Sequence, residues 1–278
     1  MSTGKSIPFS VCMSVYKNDN ADDFLTALRS VTLRQTMPPA ELILVIDGPI
    51  SEQLEHTIEV FSKEYTSLTL IRFAENKGHA AARQAGIDAS HYNMFAIMDS
   101  DDIACPDRFE KELAFMLKHP NIDVVGGQIE EFDTNEENIV SRRIVPQTDE
   151  DIKSYLKYRC PMNFMTIMAR KEAVMKVGGV IDWFCEEDYF LWIRMAQNNC
   201  IFANLPTILV SVRVSDALYS RRGGWRYFKS ERAIQKYMLQ HHMITWPQYC
   251  FNVIGRFIIQ VCIHNKFRGF LYKKLLRQ

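Results

Sequence analysis

Between residues 9 and 132, short apolar runs rich in β-branched and aromatic residues alternate with segments whose apolar residues recur at helical spacing. FSVCMSVY (9–16), ELILVID (41–47), LTLIRF (68–73), NMFAIMD (93–99) and IDVVGGQIEEF (122–132) read as strands. DDFLTALRSVTLRQ (22–35), SEQLEHTIEVFSKEY (51–65), GHAAARQAGIDAS (78–90) and PDRFEKELAFMLKH (106–119) read as the helices between them. Ser51 is placed to cap the second helix and Pro106 to open the fourth. Strands this continuously apolar, joined by helices, predict an α/β fold with a mostly parallel central sheet and helices on both faces. After residue 132 the pattern loosens. It predicts a helix over 148–160, a strand over 164–170 and a helix over 186–199.

The length of 278 residues allows one large domain, or one domain and an appendage. Hydrophobic content of 47% and charged content of 24% belong to a folded chain, not a disordered one. Seven scattered cysteines without a CxxC cannot all pair, and reduced thiols in a cytoplasmic protein are the expectation. The first apolar segment, IPFSVCMSVY, reads as a strand and not as a signal peptide, and no apolar run reaches the roughly 18–20 residues of a spanning helix. The net charge of zero hides a split. Residues 213–278 carry 13 Lys/Arg against 2 Asp/Glu, a net +11, which leaves −11 on residues 1–212. No nucleic-acid partner is expected. The basic part reads as a helical extension suited to an anionic surface or ligand.

Acids gather at two places. In MFAIMDSDDIACPD an apolar strand ends in Asp99, Asp101 and Asp102. Asp99 and Asp101 share a strand face at the carboxyl end, the edge where open α/β sheets bind ligands. Two converging carboxylates suit a hard divalent cation shared with phosphate oxygens. The bland alternative is an acidic surface turn with an Asp capping the next helix. The second cluster, WFCEEDYFLWIRM, puts Glu186, Glu187 and Asp188 before an apolar helical face. Acids in a first helical turn also complement the helix dipole. Trp183, Phe184, Tyr189 and Trp192 around them provide a floor for a sugar and surroundings that raise a carboxylate's proton affinity, as a general base requires. Weaker signals are Asp47-Gly48-Pro49, a base contact or a turn, and NKGHAAARQAG, where Lys77, His79 and Arg83 surround a helix start that welcomes an anion or merely packs on the sheet.

In this order and at these spacings, SVCMSVYKND, QTMPPAELILVIDG, ENKGHAAARQAG, AIMDSDD and CEEDYFLWIRM resemble glycosyltransferase family 2 over residues 8–213. The resemblance is to bacterial enzymes that assemble O-antigen and capsule repeat units, and it implies the GT-A fold. By it, DSDD matches the DxD motif, with Asp101 and Asp99 ligating Mn²⁺ or Mg²⁺ and Asp99 and Ser100 beside the donor. Asp47 and the Val15–Tyr16 backbone would hold the nucleobase, and Lys77 and Arg83 would face the donor. Asp188 would be the catalytic base with Glu187 beside it, and Trp183 and Glu186 would meet the acceptor. Two departures stand out: IDGP replaces the usual DDGS ending, and ARQAG, with Gln84, replaces the more frequent ARNAG.

The resemblance implies an inverting, metal-dependent transfer of hexose, galactose or glucose, from a UDP-linked donor to a saccharide acceptor carried on undecaprenyl diphosphate. Residues 1–212 would be the transferase domain, its nucleotide-binding half 1–130 and its acceptor half 131–212. Residues 213–278 would be an extension that touches the cytoplasmic face of the inner membrane, with Arg213, Arg221 and Arg222 available to a phosphate. A nucleotidyltransferase would carry a Gly-rich phosphate loop after the first strand, and SVYKNDNADD has none. A sugar-binding scaffold would bind nucleotide without turnover.

Overall fold

The structure is a computed structural model, and it describes residues 7–214 and 223–263. Arg221, Arg222 and the basic residues Lys266, Arg268, Lys273, Lys274 and Arg277 lie outside the described residues.

The predicted alternation is present. Strands β1 (Ser10–Val15), β2 (Glu41–Ile46), β3 (Leu68–Arg72) and β4 (Met94–Met98) are joined by helices α1 (Ala21–Ser30), α2 (Glu52–Glu64) and α3 (His79–Ala89). They pair in parallel in the order β3-β2-β1-β4. Asn20 accepts hydrogen bonds from the Asp22 and Asp23 amides and starts α1. Ser51 accepts from the Leu54 amide and starts α2, as predicted. Every residue of β2 and β4 is buried, because helices cover both faces of this half.

Beyond β4 the sheet is mixed. The chain continues through β5 (Ile103–Ala104), α4 (Arg108–Lys118), β6 (Val124–Phe132), β7 (Ile139–Arg143), α5 (Asp149–Leu156), β8 (Met168–Arg170), α6 (Lys171–Lys176), α7 (Glu187–Gln197) and β9 (Phe202–Arg213). Strand β8 lies antiparallel between β4 and β6, β6 runs parallel to β9, and β5 and β7 pair antiparallel with β9 and β6. Only part of the strand expected over 164–170 forms. Phe164–Thr166 is a 3₁₀ turn. The Asn163 and Thr166 side chains bond to the backbone of Gly127 and draw the segment out of the sheet. Pro106 does not open α4 at its first position. It precedes Asp107, which occupies the cap. Helices α8 (Trp225–Gln240) and α9 (Trp246–Phe257), the latter continued by a π turn at Ile258–Cys262, complete the described chain.

A buried ion pair holds the end of β4. The Arg108 guanidinium, fully enclosed, donates to the Ile97 and Ile167 carbonyls at 3.0 and 3.3 Å and meets Glu112 at 3.2 Å. Burial pushes the Glu112 carboxyl up to about 7, against the attraction of Arg108. Arg108→Met strands that carboxyl without a partner, and a loss of about 3–5 kcal/mol is expected in denaturant unfolding. An unpaired buried Glu has its folded pKa raised above the unfolded value. Its contribution is therefore complete at low pH and is lost as pH rises through the folded pKa. The variant should be worse at about pH 8 than at about pH 5. Adding Glu112→Leu should recover most of the loss. A deficit independent of pH, unrelieved by the second change, would contradict this account.

Candidate active site

Parallel register brings the carboxyl ends of β1, β2 and β4 to one edge, because Val15 pairs with Ile46 and Met13 with Met98. Tyr16, Asp47 and Asp99 follow these ends directly. Across the edge stands α7, with Glu187 and Asp188 in its first turn. The two acidic clusters, far apart in sequence, meet through one cation. Arg83 of α3 donates to Asp99 Oδ1 at 2.9 Å and to Glu187 Oε1 at 2.6 Å. Its guanidinium lies 4.6 Å from the centre of the Phe164 ring, which fixes its plane. The same helix also packs on the sheet. Ala80, Ala82 and Gly86 face the sheet, and a Cβ on Gly86 would stand 3.1 Å from Cys12 Cβ. Gln84 is occupied elsewhere: it accepts from the Val180 amide at 2.6 Å and donates to Asp88.

Around the end of β4 the charge is unbalanced. Asp101 keeps one side open to solvent. Desolvation of its carboxyl, with Asp99 and Asp19 adding like charge, pushes it up to about 6. Asp19, which sequence reasoning missed, accepts from Ser100 Oγ at 2.8 Å and from the Tyr16 amide at 3.0 Å. Burial raises its pKa too. Asp102 is different in kind. It is buried, accepts from the Arg213 amide at 3.0 Å, and ties β9 to the acidic turn. Burial, with Asp101 nearby, pushes it far up. None of these acids caps α4, whose cap residue Asp107 makes no side-chain capping bond. Among the described residues, no three His, Cys, Asp or Glu side chains are set to enclose a metal ion. The pair Asp99 and Asp101 fits a cation that takes its remaining ligands from phosphate and water, and such an ion would relieve the crowding on Asp101.

The Asp47 side chain is already engaged. It accepts from the Lys77 amide at 2.6 Å, the Gly78 amide at 3.0 Å and Asn76 Nδ2 at 2.9 Å. It thereby fastens β2 to the start of α3. Gly48 sits at φ +86°, where an added Cβ would come within 2.6 Å of the Asn76 nitrogen, so this close turn requires glycine. The Val15 carbonyl accepts from the Asp47 amide at 2.8 Å. The Lys77 ammonium lies 4.8 Å over the Phe73 ring.

Asp188 faces a cavity of about 520 Å³ whose wall includes Tyr155, Tyr158, Arg159, Glu186, Tyr227 and Phe251. Asp188 Oδ1 accepts from the Tyr189 amide at 2.7 Å, and Oδ2 takes the Cys160 thiol at 3.4 Å. Burial, with Asp188 nearby, pushes the Cys160 thiol up and keeps it a donor. Burial also raises Glu187, partly offset by Arg83. Cys185, immediately before these acids, holds φ +58°, a left-handed conformation for a side-chain-bearing residue. Glu186 lines the cavity, but Trp183 does not. Trp183 stacks on Phe190 at 4.4 Å and donates to the Ser230 carbonyl, joining this segment to α8. Cys160 and most of the cavity wall carried no sequence signal, because they come from α5 and the segment after it, α8 and α9, and meet Asp188 only in space.

A mixed sheet with helices on both faces and paired acids at its carboxyl edge is the GT-A arrangement of sugar-nucleotide transferases. The mannosyltransferase PcManGT from Pyrobaculum calidifontis, solved with GDP-Man and Mn²⁺, superposes with a TM-score of 0.63 at 13% identity, covering 95% of this chain and 72% of that one. The profile described as Glycosyl transferase family 2 matches residues 10–178. A UDP-Gal:alpha-D-GlcNAc-diphosphoundecaprenol beta-1,3-galactosyltransferase from Escherichia coli is 31% identical over 272 residues, 97% of each chain. The amylovoran biosynthesis glycosyltransferase AmsE from Erwinia amylovora is 33% identical over 232 residues, 84% of this chain and 85% of that one. The chain belongs to glycosyltransferase family 2.

Proposed function

We propose that this glycosyltransferase moves a hexose, galactose or glucose, from a UDP-linked donor to a saccharide carried on a lipid diphosphate such as undecaprenyl diphosphate, in bacterial O-antigen or capsular polysaccharide synthesis. The observation that carries the reading is Arg83, which joins Asp99 of the donor edge to Glu187 beside the candidate base. The E. coli relative, named for this chemistry and matched along 97% of the chain, supports the donor and acceptor classes.

In this reading residues 1–130 hold the nucleotide, 131–212 the acceptor, and 213–278 form an extension that rests on the cytoplasmic face of the membrane. Asp47 and the Val15–Tyr16 backbone border the nucleobase. Lys77, Arg83 and Ser100 border the rest of the donor. Asp99 and Asp101 would hold Mn²⁺ or Mg²⁺, which when bound supplies positive charge to the departing diphosphate. Glu186 borders the acceptor, and Trp183 braces the segment against α8. Asp188, fixed by the Tyr189 amide and the Cys160 thiol, takes the proton of the attacking hydroxyl. Attack opposite the leaving diphosphate inverts the anomeric centre, so an α-linked donor yields a β-glycoside. Arg83 keeps the like charges of Asp99 and Glu187 together.

Calorimetric titration of UDP, GDP and UDP-hexoses, with Mn²⁺ and then with EDTA, tests this reading. UDP binding that EDTA abolishes is the expected result. Binding of GDP in place of UDP would overturn the donor, and no nucleotide binding would overturn the proposed function.

A further inference from the structure

Helix α9 is inside out. Its polar residues face the protein. Asn252, 4% exposed, donates to the Lys157 carbonyl at 2.9 Å and to Gln235 at 2.8 Å. Arg256 pairs with Glu231 at 2.7 Å and donates to the Tyr158 carbonyl at 2.5 Å. Gln260, 3% exposed, bonds to Glu231. The apolar residues face outward: Trp246 is 62% exposed, Phe251 73% and Ile254 58%, and Phe257 and Ile258 are open as well. Trp246, Cys250, Ile254, Phe257 and Ile258 recur at helical spacing, with Phe251 beside them, so they make one continuous stripe. Exposed Trp225, at the start of α8, extends it by packing on Phe257 at 5.8 Å. A soluble helix normally turns these two faces the other way.

We propose that this outward face of α9, with Trp225, inserts into the interfacial region of an anionic lipid bilayer. Two features select a bilayer over a protein partner. Residues 246–262 contain no Asp or Glu, and the one charge on the helix, Arg256, points inward. The sequence that follows carries Lys266, Arg268, Lys273, Lys274 and Arg277 without an acid, a charge complementary to anionic headgroups. No helix among the described residues is long and apolar enough to cross a membrane, which leaves an interfacial seat for this one. The seat has a use for the site. Phe251 belongs both to the outward stripe and to the wall of the cavity that Asp188 faces, as do the neighbouring Gly255 and Ile259 of the same helix to that wall. Insertion brings that cavity to the level of the lipid headgroups. A lipid-diphosphate acceptor would then present its sugar hydroxyl without leaving the bilayer. This last step rests on the acceptor reading above; the insertion itself does not.

The test uses the full chain and vesicles of phosphatidylethanolamine and phosphatidylglycerol, read by co-sedimentation without donor or acceptor. The wild type should bind, and a share of the binding should persist at about 1 M salt, where charges are screened beyond about 3 Å. Phe251→Ser with Ile254→Ser should lower vesicle affinity at least about tenfold, since each side chain contributes its apolar burial. Both side chains are exposed, so the melting temperature should stay within a few degrees of wild type, which separates lost insertion from lost folding. Vesicle binding unchanged in the double variant, or abolished entirely by salt, would overturn the proposal in favour of purely electrostatic attachment. Absence of wild-type binding would overturn it outright. A wild-type dimer in sedimentation that the double variant dissociates would reassign the stripe to a contact between copies. A chain that seats on vesicles but transfers no sugar would leave the insertion standing and overturn the proposed function alone.

Discussion

Asp188→Asn is expected to abolish sugar transfer while leaving donor affinity intact. Asparagine keeps the shape of the side chain, and its carbonyl oxygen can still accept from the Tyr189 amide. It cannot take a proton from an attacking hydroxyl. Loss of a positioned general base lowers turnover by about 10³-fold. The proposed donor edge rests on other residues, Asp99, Asp101 and Arg83, and Arg83 bonds to Asp99 and Glu187. The loss should therefore fall on kcat, with UDP affinity by calorimetry within about twofold of wild type. Loss of UDP binding alongside turnover would mean that Asp188 belongs to the donor site, and would remove it from the role of base.

Asp101→Asn should weaken Mn²⁺-dependent UDP binding by about 100-fold, since a cation at a diphosphate contributes several kcal/mol of charge stabilisation. The folded chain should not suffer. The Asp101 carboxyl is pushed up to about 6 by burial and by Asp99 and Asp19, so its charge is disfavoured in the folded state without a cation. A neutral amide there should hold or slightly raise the melting temperature. An acid that only braced a surface turn would behave oppositely, losing stability without touching metal dependence. Unchanged dependence on Mn²⁺ would take Asp101 out of the metal site.

Much of this site was legible before any coordinates. Asp99 and Asp101 stood out because a fully apolar strand stops at them, and Glu187 and Asp188 because acids open a helix rich in aromatics. Asp19 gave no such signal. It lies in a polar loop, and only the packing of β1 beside β4 carries it to Ser100. Strand β9 was not anticipated. Its run FANLPTILVSVR is interrupted by Pro206, and its pairing with β6 shifts register opposite Gly126 and Gln128. The two-residue strand β5 depends on β9 for its partner and was equally silent.

Local patterning sets the type and order of the elements from β1 to β6, the two-residue β5 apart, and shows where acids gather at their ends. Periods of two and of 3.6 residues record which side chains must be buried, and that information is local. Who meets whom is settled by packing between distant segments. Arg83 bridges Asp99 and Glu187 because α3 and α7 face each other across the sheet edge, and Cys160 reaches Asp188 from another element. The orientation of α9 was decided there too. Its helical spacing was visible in the residues, but a stripe of apolar side chains does not say which way it points. It points outward because Glu231, Gln235 and the Lys157 and Tyr158 carbonyls stand ready to satisfy Asn252, Arg256 and Gln260 inside, and buried polar groups without such partners would have cost more than exposed apolar ones.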